Sequence, residues 1–340
     1  MANDKSGRKK KNPIVTILAV IVILIGSAFG IWELGDFLPS DTNTPSTQVT
    51  QPSQGTGDNS PEVLVDGALT VIMFDVGQAD SFLLIQDGKT ALIDCGTRFD
   101  GDEILAYLKD LNISRLDYVF GTHPHDDHMG GMQEVIQGIE VGKLVVPDVK
   151  KGKVSANWYK SLESVYPNYD VIRPKVGDVF ELGDATMTVL GPIDTDPSNV
   201  NNYSTILMVS FGEMDILFTG DAETSLEKDL LESGVNLDAE ILKVGHHGSD
   251  TSSSDAFLDA VSPEYGLVST AIGNKHDHPI GEIMDRYKER GIKIYRTDQS
   301  GTVTLTITAT DVKFSCEPGD YRSGIEMAEL EGKWWLVIWV

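Results

Sequence analysis

All seven histidines of this 340-residue chain fall in three short clusters, and each cluster follows a run with the apolar pattern of a β-strand. This clustering restricts the interpretation more than any other feature, because histidines that serve only as polar filler would be scattered along the chain. Imidazoles collected at strand ends can instead bind metal ions. The clusters contain His123, His125 and His128, then His246 and His247, and finally His276 and His278.

The first cluster lies in Thr122–Gly131 (THPHDDHMGG) and contains the pattern H-x-H-x-D-H. In an extended segment, alternate side chains point to the same side of the backbone. His123 and His125, at the end of the predicted strand, can therefore bind one ion. Asp127 and His128 turn away where the next helix begins and can bind a second ion nearby. These ligand types suit zinc, manganese or iron(II), and the paired glycines allow close backbone approach. A polar loop with incidental histidines is the weaker interpretation, because the pattern is specific for metal sites.

Two later elements carry weaker signals of the same kind. Asp221 ends an apolar run after a glycine, where one carboxylate can bridge two metals, although Gly-Asp is also a common turn. His246 and His247 follow another predicted strand and can supply one ligand and one substrate contact. Taken alone, the two histidines fit a structural pair equally well.

The apolar pattern predicts strands in runs at the start of each half, followed by strands that alternate with helices. The predicted strands are Ala68–Phe74, Ser81–Gln86, Thr90–Ile93, Leu116–Gly121, Lys143–Val146, Thr186–Leu190, Ser204–Phe211, Asp215–Thr219 and Ile241–Val244. The predicted helices are Glu103–Leu111, one beginning near Met129, Thr224–Ser233, Ser254–Val261 and Glu282–Arg290. Three closing segments are predicted as edge strands: Lys293–Tyr295, Thr302–Thr308 and Asp311–Ser315. This order indicates two sheets with helices outside, an α/β sandwich.

The chain is acidic, with a formal net charge of −25 at pH 7, and its 41% of hydrophobic residues suffices for a packed core. Such a surface repels nucleic acid and anionic lipid in general, so a polyanion would need a local basic patch or a metal to bind. The acidity can also serve solubility alone. Cys95 and Cys316 are too few for a disulfide framework, and a single bridge between them is left open.

The N-terminus predicts a membrane anchor. Residues 13–32 form an uncharged apolar run long enough to span a bilayer as a helix. Five basic residues precede this run, so the positive-inside rule places residues 1–12 in the cytoplasm and everything after the span outside. The alternative is a cleaved signal peptide and a secreted protein, although Ala28–Gly30 is only a fair cleavage site. The remaining predicted segments are a flexible Ser/Thr/Pro/Gln-rich linker over 33–63, a folded domain over 64–315 and a C-terminal extension over 316–340.

The elements occur in the order Asp94, H-x-H-x-D-H, Asp221 and His246-His247, and this order resembles the metallo-β-lactamase superfamily. That resemblance implies an αβ/βα four-layer sandwich with two metals at the edge between two sheets. The chain resembles most the hydrolase domain of the DNA-internalisation competence protein ComEC and its stand-alone relatives, over about residues 66–315. The strings that carry the resemblance are Phe74–Ser81 (FDVGQADS), Leu92–Gly96 (LIDCG), Asn201–Ser204 (NNYS) and His246–Ser254 (HHGSDTSSS).

By position, the resemblance implies that His123 and His125 hold the first metal. Asp127, His128 and one of the pair His246/His247 would hold the second, and Asp221 would bridge both. Asp94 would orient the ligands through hydrogen bonds. The metals would be two divalent ions, zinc or manganese.

The same resemblance implies roles for residues around the metals. Asp75, Gln78 and Asp80 would form a loop at the mouth of the site, and His278 would contact the substrate. Asp94, Asp127, Asn201 and His278 are the candidate catalytic residues, and Ser204 is grouped with the substrate loop. His276 has no counterpart in the family and fits a surface loop.

Two departures from the family pattern change what can be expected. Many superfamily members have another metal-binding histidine between the second and fourth motifs, but none lies between His128 and His246 here. The segment with Asn201 and Ser204 occupies that stretch, so the first metal would be weakly held or completed by substrate. The chain also has a single candidate span, so it cannot itself be a DNA channel.

Two close cations would make water a nucleophile near neutral pH and offset charge on a phosphoryl oxygen. The first functional hypothesis is therefore hydrolysis of a phosphodiester outside the cell, with DNA, a nucleotide or a cell-wall phosphate ester as substrate. A second is attack on an amide, lactam or thioester carbonyl. A third is a non-catalytic binding module with a degenerate site. The expected partners are this substrate and the membrane, and no obligate protein partner is predicted.

Overall fold

The computed structural model describes residues 65–194 and 197–332, which contain two mixed sheets. The first sheet has the order β15-β14-β1-β2-β3-β4-β5-β6. Its strands are β1 (Leu69–Met73), β2 (Phe82–Gln86), β3 (Lys89–Ile93), β4 (Arg115–Phe120), β5 (Glu140–Val145), β6 (Val171–Ile172), β14 (Val303–Ile307) and β15 (Val312–Phe314). The turn between β2 and β3 is Asp87-Gly88, and both residues have the positive φ (47° and 74°) that tight hairpins favour.

The second sheet has the order β13-β12-β11-β10-β9-β8-β7. Its strands are β7 (Val179–Leu182), β8 (Ala185–Gly191), β9 (Ile206–Phe211), β10 (Met214–Phe218), β11 (Ile241–Lys243), β12 (Tyr265–Val268) and β13 (Lys293–Arg296). In each sheet a run of antiparallel strands is followed by parallel strands, which require crossover connections.

Helices supply most of these crossovers. They are α1 (Gly101–Asp110), α2 (Asp126–Met129), α3 (Met132–Gly138), α4 (Asn157–Val165), α5 (Thr224–Ser233), α6 (Asp255–Val261), α7 (Gly281–Glu289), α8 (Thr297–Ser300) and α9 (Gly324–Leu330). Short 3₁₀ turns lie at Tyr166–Asn168, Val200–Tyr203 and Gly245–Gly248.

Three apolar cores separate the layers. The central core joins inward side chains of both sheets, such as Leu84 and Val209. A second core, including Leu92 and Ile104, lies between the first sheet and its helices, and a third, including Leu242 and Phe257, lies between the second sheet and its helices. The predicted α/β fold, an αβ/βα four-layer sandwich, is thereby confirmed.

The structure differs from the sequence prediction in several elements. Thr302–Thr308 is not an edge strand, because β14 pairs with β1 on one side and with β15 on the other. Helices α4 and α8 and strands β6, β7 and β12 were not predicted, and the C-terminal extension contains helix α9. None of the helices within residues 65–194 and 197–332 is long and apolar enough to cross a membrane. The predicted anchor (13–32) and linker (33–63) lie outside the described residues.

Candidate metal centre

The carboxyl ends of neighbouring strands bring the candidate ligands together. β3 and β4 are parallel, so Asp94 and His123, which follow them, lie at the same edge of the first sheet. β10 and β11 are parallel in the second sheet, and they are followed by Asp221 and the His246-His247 pair. The backbone is extended at His125, and α2 begins at the next residue. That change of direction separates the first two histidines from Asp127 and His128, as the sequence predicts.

One set of ligand atoms combines Asp127, His128, Asp221 and His247. Asp221 Oδ1 lies 3.1 Å from His128 Nε2 and 3.6 Å from His247 Nε2, which in turn lies 3.7 Å from Asp127 Oδ2. Two ligand atoms about 2.1 Å from a tetrahedral ion are about 3.4 Å apart, so these separations suit a common ion. We call these four residues the closed set.

The buried polar atoms of the closed set fit a metal. His128 Nε2, His247 Nε2 and Asp221 Oδ1 are buried and make no well-aligned hydrogen bond. Burying such atoms unpaired costs about 1–3 kcal/mol each, whereas a cation satisfies all of them together. The nitrogen and oxygen donors suit zinc or manganese.

A second set combines His123, His125 and Asp221. His123 Nε2 lies 3.0 Å from His125 Nδ1 and 3.7 Å from Asp221 Oδ2. The two oxygens of Asp221 thus face different sets, which is the geometry of a bridging carboxylate. His246 Nε2 also lies 3.4 Å from Asp221 Oδ2. We call His123, His125 and Asp221 the open set, because it has fewer protein groups and His125 and His246 are partly exposed.

The two adjacent histidines differ in their surroundings. Both have positive φ, 48° at His246 and 53° at His247, a costly conformation for residues other than glycine that turns the two rings in different directions. His247 is buried and its Nδ1 donates to the Ser269 carbonyl oxygen at 2.9 Å, which leaves Nε2 facing the closed set. His246 Nδ1 is 3.0 Å from Thr251 Oγ1. The geometry therefore favours His247 as the ligand of the closed set.

Asp94 lies behind His128. Its Oδ2 accepts from His128 Nδ1 at 2.8 Å and from Thr122 Oγ1 at 2.7 Å, while Oδ1 accepts from the Thr122 N–H at 2.8 Å. A carboxylate on Nδ1 fixes the ring orientation and leaves Nε2 for a metal. Asp94 itself has a φ of 59°, so the backbone is strained where it places this carboxylate.

The structure places Asp80 differently from the prediction. Asp80 is buried behind the histidines and does not lie at the mouth of the site. Its Oδ2 pairs with Lys243 Nζ at 2.8 Å, and its Oδ1 lies 3.5 Å from His247 Nδ1. Lys243 is 1% exposed and was missed by the sequence analysis, although a lysine that ends the apolar strand β11 just before two histidines is a detectable signal. The buried ion pair supports the closed set from behind.

Ser204 is also buried, and it lies beside the metal ligands instead of in a substrate loop. Its Oγ is 3.4 Å from His123 Nδ1 and accepts from the Asp221 N–H at 3.0 Å, so it contacts two residues of the open set. Asn201 lies beside His125, and its Nδ2 donates to Glu223 Oε1 at 2.8 Å. Both side chains therefore lie next to the open set, in the stretch between His128 and His246 that contains no histidine.

The outer wall of the site contains Gln78 and His278. Gln78 Nε2 is 3.3 Å from His278 Nδ1, and the His278 ring centroid is 5.4 Å from that of His246. His276 is exposed and stacks on His278 with a centroid distance of 5.4 Å. Asp75 is exposed and its N–H donates to Thr302 Oγ1 at 3.1 Å. Of the predicted mouth residues, the structure brings only Gln78 into contact with a histidine on this wall.

The two sets differ in their electrostatics. Burial opposes protonation of His128, but the charges of Asp221 and Asp94 outweigh it and raise its pKa well above the usual value. Burial alone would raise the pKa of Asp221, yet His128, His247 and His246 hold it well below the usual range. In the open set, burial and the His128 charge lower the pKa of His123, and burial also lowers that of His125. Without metal, the closed set thus holds protons and the open set holds neutral imidazoles.

Comparison with known proteins identifies the family to which these residues belong. The metallo-beta-lactamase superfamily matches residues 74–271. ComE operon protein 3 of Bacillus subtilis is 32% identical over 254 residues, which cover 68% of this chain and 32% of that protein. Competence protein ComA of Neisseria gonorrhoeae is 31% identical over 255 residues, 74% of this chain and 34% of that protein. The chain therefore spans about a third of the length of these relatives.

Solved structures show the same fold. The crystal structure of CmlA, a diiron beta-hydroxylase from Streptomyces venezuelae, aligns with a TM-score of 0.50 and 16% identity over 72% of this chain and 55% of that one. At this identity the similarity concerns the fold alone. The matched family region spans more than half of the chain and contains both ligand sets. The chain belongs to the metallo-β-lactamase superfamily, and its sequence relatives include ComEC-like competence proteins.

Proposed function

We propose that this protein is a dinuclear-metal hydrolase that cleaves phosphodiesters outside the cell. The observation that carries the proposal is the pair of ligand sets that share Asp221, one oxygen facing each set. Two bound divalent cations would supply Lewis-acid chemistry, lowering the pKa of water toward neutrality and offsetting negative charge on a phosphoryl oxygen. The chain needs no serine or cysteine nucleophile for this reaction.

The chain's own residues orient the ligands and the substrate. Asp94 and the Lys243–Asp80 pair hold the histidines of the closed set from behind. Thr270 Oγ1 donates to Gln78 Oε1 at 2.8 Å, which turns Gln78 Nε2 toward His278 Nδ1. His278 then carries its proton on Nε2 and can donate it in a hydrogen bond to a substrate oxygen.

The electrostatics of His278 support the same role. Burial, together with the charges of His247 and His246, lowers the pKa of His278 to about 3. The ring therefore stays neutral at physiological pH and acts as a hydrogen-bond donor of fixed orientation. In a protein of charge −25, attraction for an anionic ester must come from the metal centre itself.

The relatives and the N-terminal sequence bear on the substrate class and on the location. The relative from Neisseria gonorrhoeae is named a competence protein, which favours DNA or a nucleotide among the phosphodiesters, and the chain spans about a third of its length. The apolar run at residues 13–32 favours a single-pass membrane protein with the folded domain outside. Protease accessibility of the folded domain on intact cells tests that orientation.

Hydrolysis of bis-p-nitrophenyl phosphate by the full-length chain with Mn²⁺ or Zn²⁺ tests the activity, together with elemental analysis of bound metal. The control is the double variant His123→Ala, Asp127→Ala. Turnover that disappears in this variant supports a two-metal phosphodiesterase. A protein that binds two ions per chain but leaves the ester intact would instead favour a carbonyl substrate. A protein without bound metal would favour the binding module.

A further inference from the structure

The C-terminal extension contacts the loop that carries His278. The Gly324 N–H donates to the Pro279 carbonyl oxygen at 2.9 Å. A Cβ atom at Gly324 would overlap the carbonyl oxygen of His278 and lie 2.6 Å from that of Asp277. Only glycine permits this approach, so the start of α9 presses directly on the His278 backbone.

The other side of this loop contacts the metal centre. The Ile280 N–H donates to the Gly248 carbonyl oxygen at 2.9 Å, and Gly248 follows His247 directly. A Cβ at Gly248 would lie 2.5 Å from Pro279 Cβ, so the loop and the histidine turn are in close contact. Between these two contacts, the His278 ring faces His246. The loop is thus held between the extension and the ligand turn.

The extension is itself fixed to the second sheet. Arg296, at the end of β13, is fully buried, pairs with Asp298 at 2.7 Å, and donates to the carbonyl oxygens of Asp320 and Arg322. Gln299 bonds the Asp320 side chain at 3.0 Å and accepts from its N–H at 2.9 Å. Removing the partners of this arginine would leave a buried charge and unpaired N–H donors, which costs several kcal/mol. The attachment is therefore rigid.

The helix that follows starts with a capping box. The Ser323 side chain accepts from the Glu326 N–H, while Glu326 accepts from the Ser323 N–H. This arrangement fixes the direction in which the chain leaves Ser323 and hence where Gly324 lies.

We infer that residues 319–330 are a positioning element, which holds the His278 loop against the His246–Gly248 turn and so fixes the substrate-facing imidazole. The inference rests on the proposed role of His278. The loop also has a scaffold of its own, since Asn274 Oδ1 accepts from the His276 and His278 N–H groups at 3.1 Å each. The extension adds the outer contact, which prevents the loop from moving away from the metal centre.

The variant Gly324→Ala tests this arrangement in the full-length, Mn²⁺-loaded chain. The added methyl group should displace the His278 carbonyl, raise amide hydrogen exchange in residues 273–281 and leave two ions bound. The matched control is Gly281→Ala, on the same side of the loop, where a Cβ would lie 3.7 Å from Ser323 Cβ in ordinary contact. It should leave exchange in the loop unchanged. Because hydrogen exchange needs no turnover, this result stands even if the protein hydrolyses no phosphodiester.

Steady-state kinetics then separate positioning from a general structural effect. Gly324→Ala should lower kcat/KM for bis-p-nitrophenyl phosphate about tenfold, since a small misplacement of a substrate contact is costly. In a His278→Ala background the same change should cost less than about twofold, because coupled residues are not additive. Equal losses in both backgrounds would overturn the inference, as would unchanged loop exchange.

A second variant covers the case in which Gly324→Ala does not fold. Gln299→Leu removes both bonds to Asp320 and loosens the extension without adding bulk near the loop. It should raise exchange in residues 273–281 while metal content stays at the wild-type value. Loss of metal together with increased exchange throughout the domain would mean that the extension only stabilises the fold.

Discussion

The two halves of the metal centre differ in how completely the protein surrounds them. The closed set offers four protein groups, of which His128, His247 and Asp221 are almost fully buried, and each histidine has a fixed partner on its second nitrogen. The open set offers three groups, and one wall is formed by the partly exposed His246 and the buried His278. The difference indicates a division of labour. The closed set would hold its ion permanently, while the open set would leave coordination positions for substrate.

The strongest test of this comparison removes the group that both halves share. Asp221→Ala should lose both ions and lower kcat/KM about a thousandfold, because one carboxylate serves both sets. Elemental analysis and the bis-p-nitrophenyl phosphate assay measure the two effects. The exposed Asp250→Ala is the control and should keep both ions. An Asp221→Ala protein that retains one ion would mean that the halves are independent.

Single histidine variants should separate the halves. His123→Ala should retain about one ion per chain, since the closed set keeps its four groups. His128→Ala should lose the ion of the closed set. The ion that remains in this variant should be bound less tightly than either ion of the wild type, so a weaker chelator should remove it. Metal content after dialysis against a series of chelators measures this order. Loss of both ions from His123→Ala would contradict the assignment, because the closed set would then fail to hold its ion alone.

Changing Asp94, the hydrogen-bond partner of His128, should lower metal affinity less than removing His128 itself. Asp94→Asn keeps the size of the side chain but weakens the bond to His128 Nδ1, so affinity of the closed set should fall about 10- to 100-fold. The open set should change less, because Asp94 contacts it only through Thr122. Competition titration with a fluorescent chelator measures both constants. Asp75→Asn, on the exposed loop, should leave both unchanged.

The smallest expected effect concerns pH. The raised pKa of His128 means that the metal-free closed set holds a proton, which an ion must displace. Its affinity should therefore fall as pH falls, by about tenfold per pH unit for one proton. The lowered pKa values of His123 and His125 make the open set less sensitive near neutral pH. Calorimetry in buffers of different ionisation heat measures the protons released, and equal release from a His128→Ala variant would contradict the assignment.

Local patterns predicted much of the fold. The helix predicted over Thr224–Ser233 has those bounds in the structure, because Gly234 in the left-handed conformation ends it at a position that the sequence marks. Helix α4 (Asn157–Val165) was missed, since Ala156 provides no side-chain cap, and β6 is only two residues long. The position of β14 inside the sheet depends on pairing with β1, far away in the sequence.

The metal site could be predicted as a set of residues but not as a geometry. Spacing alone separates His123 and His125 from Asp127 and His128. The choice between His246 and His247 depends on two consecutive residues with positive φ, which no glycine marks. The location of Asp80 depends on its pairing with Lys243, and a sequence motif does not show such a long-range contact.

The origin of the ligands in two different sheets has a consequence for how the protein matures. Asp127 and His128 come after β4 of the first sheet, whereas Asp221 and His247 come after β10 and β11 of the second sheet. A half-folded chain can offer two of these groups, but not all four. Tight ion uptake would then occur only after the sheets have joined across the central core. Retained metal would therefore distinguish fully folded molecules from partly folded ones.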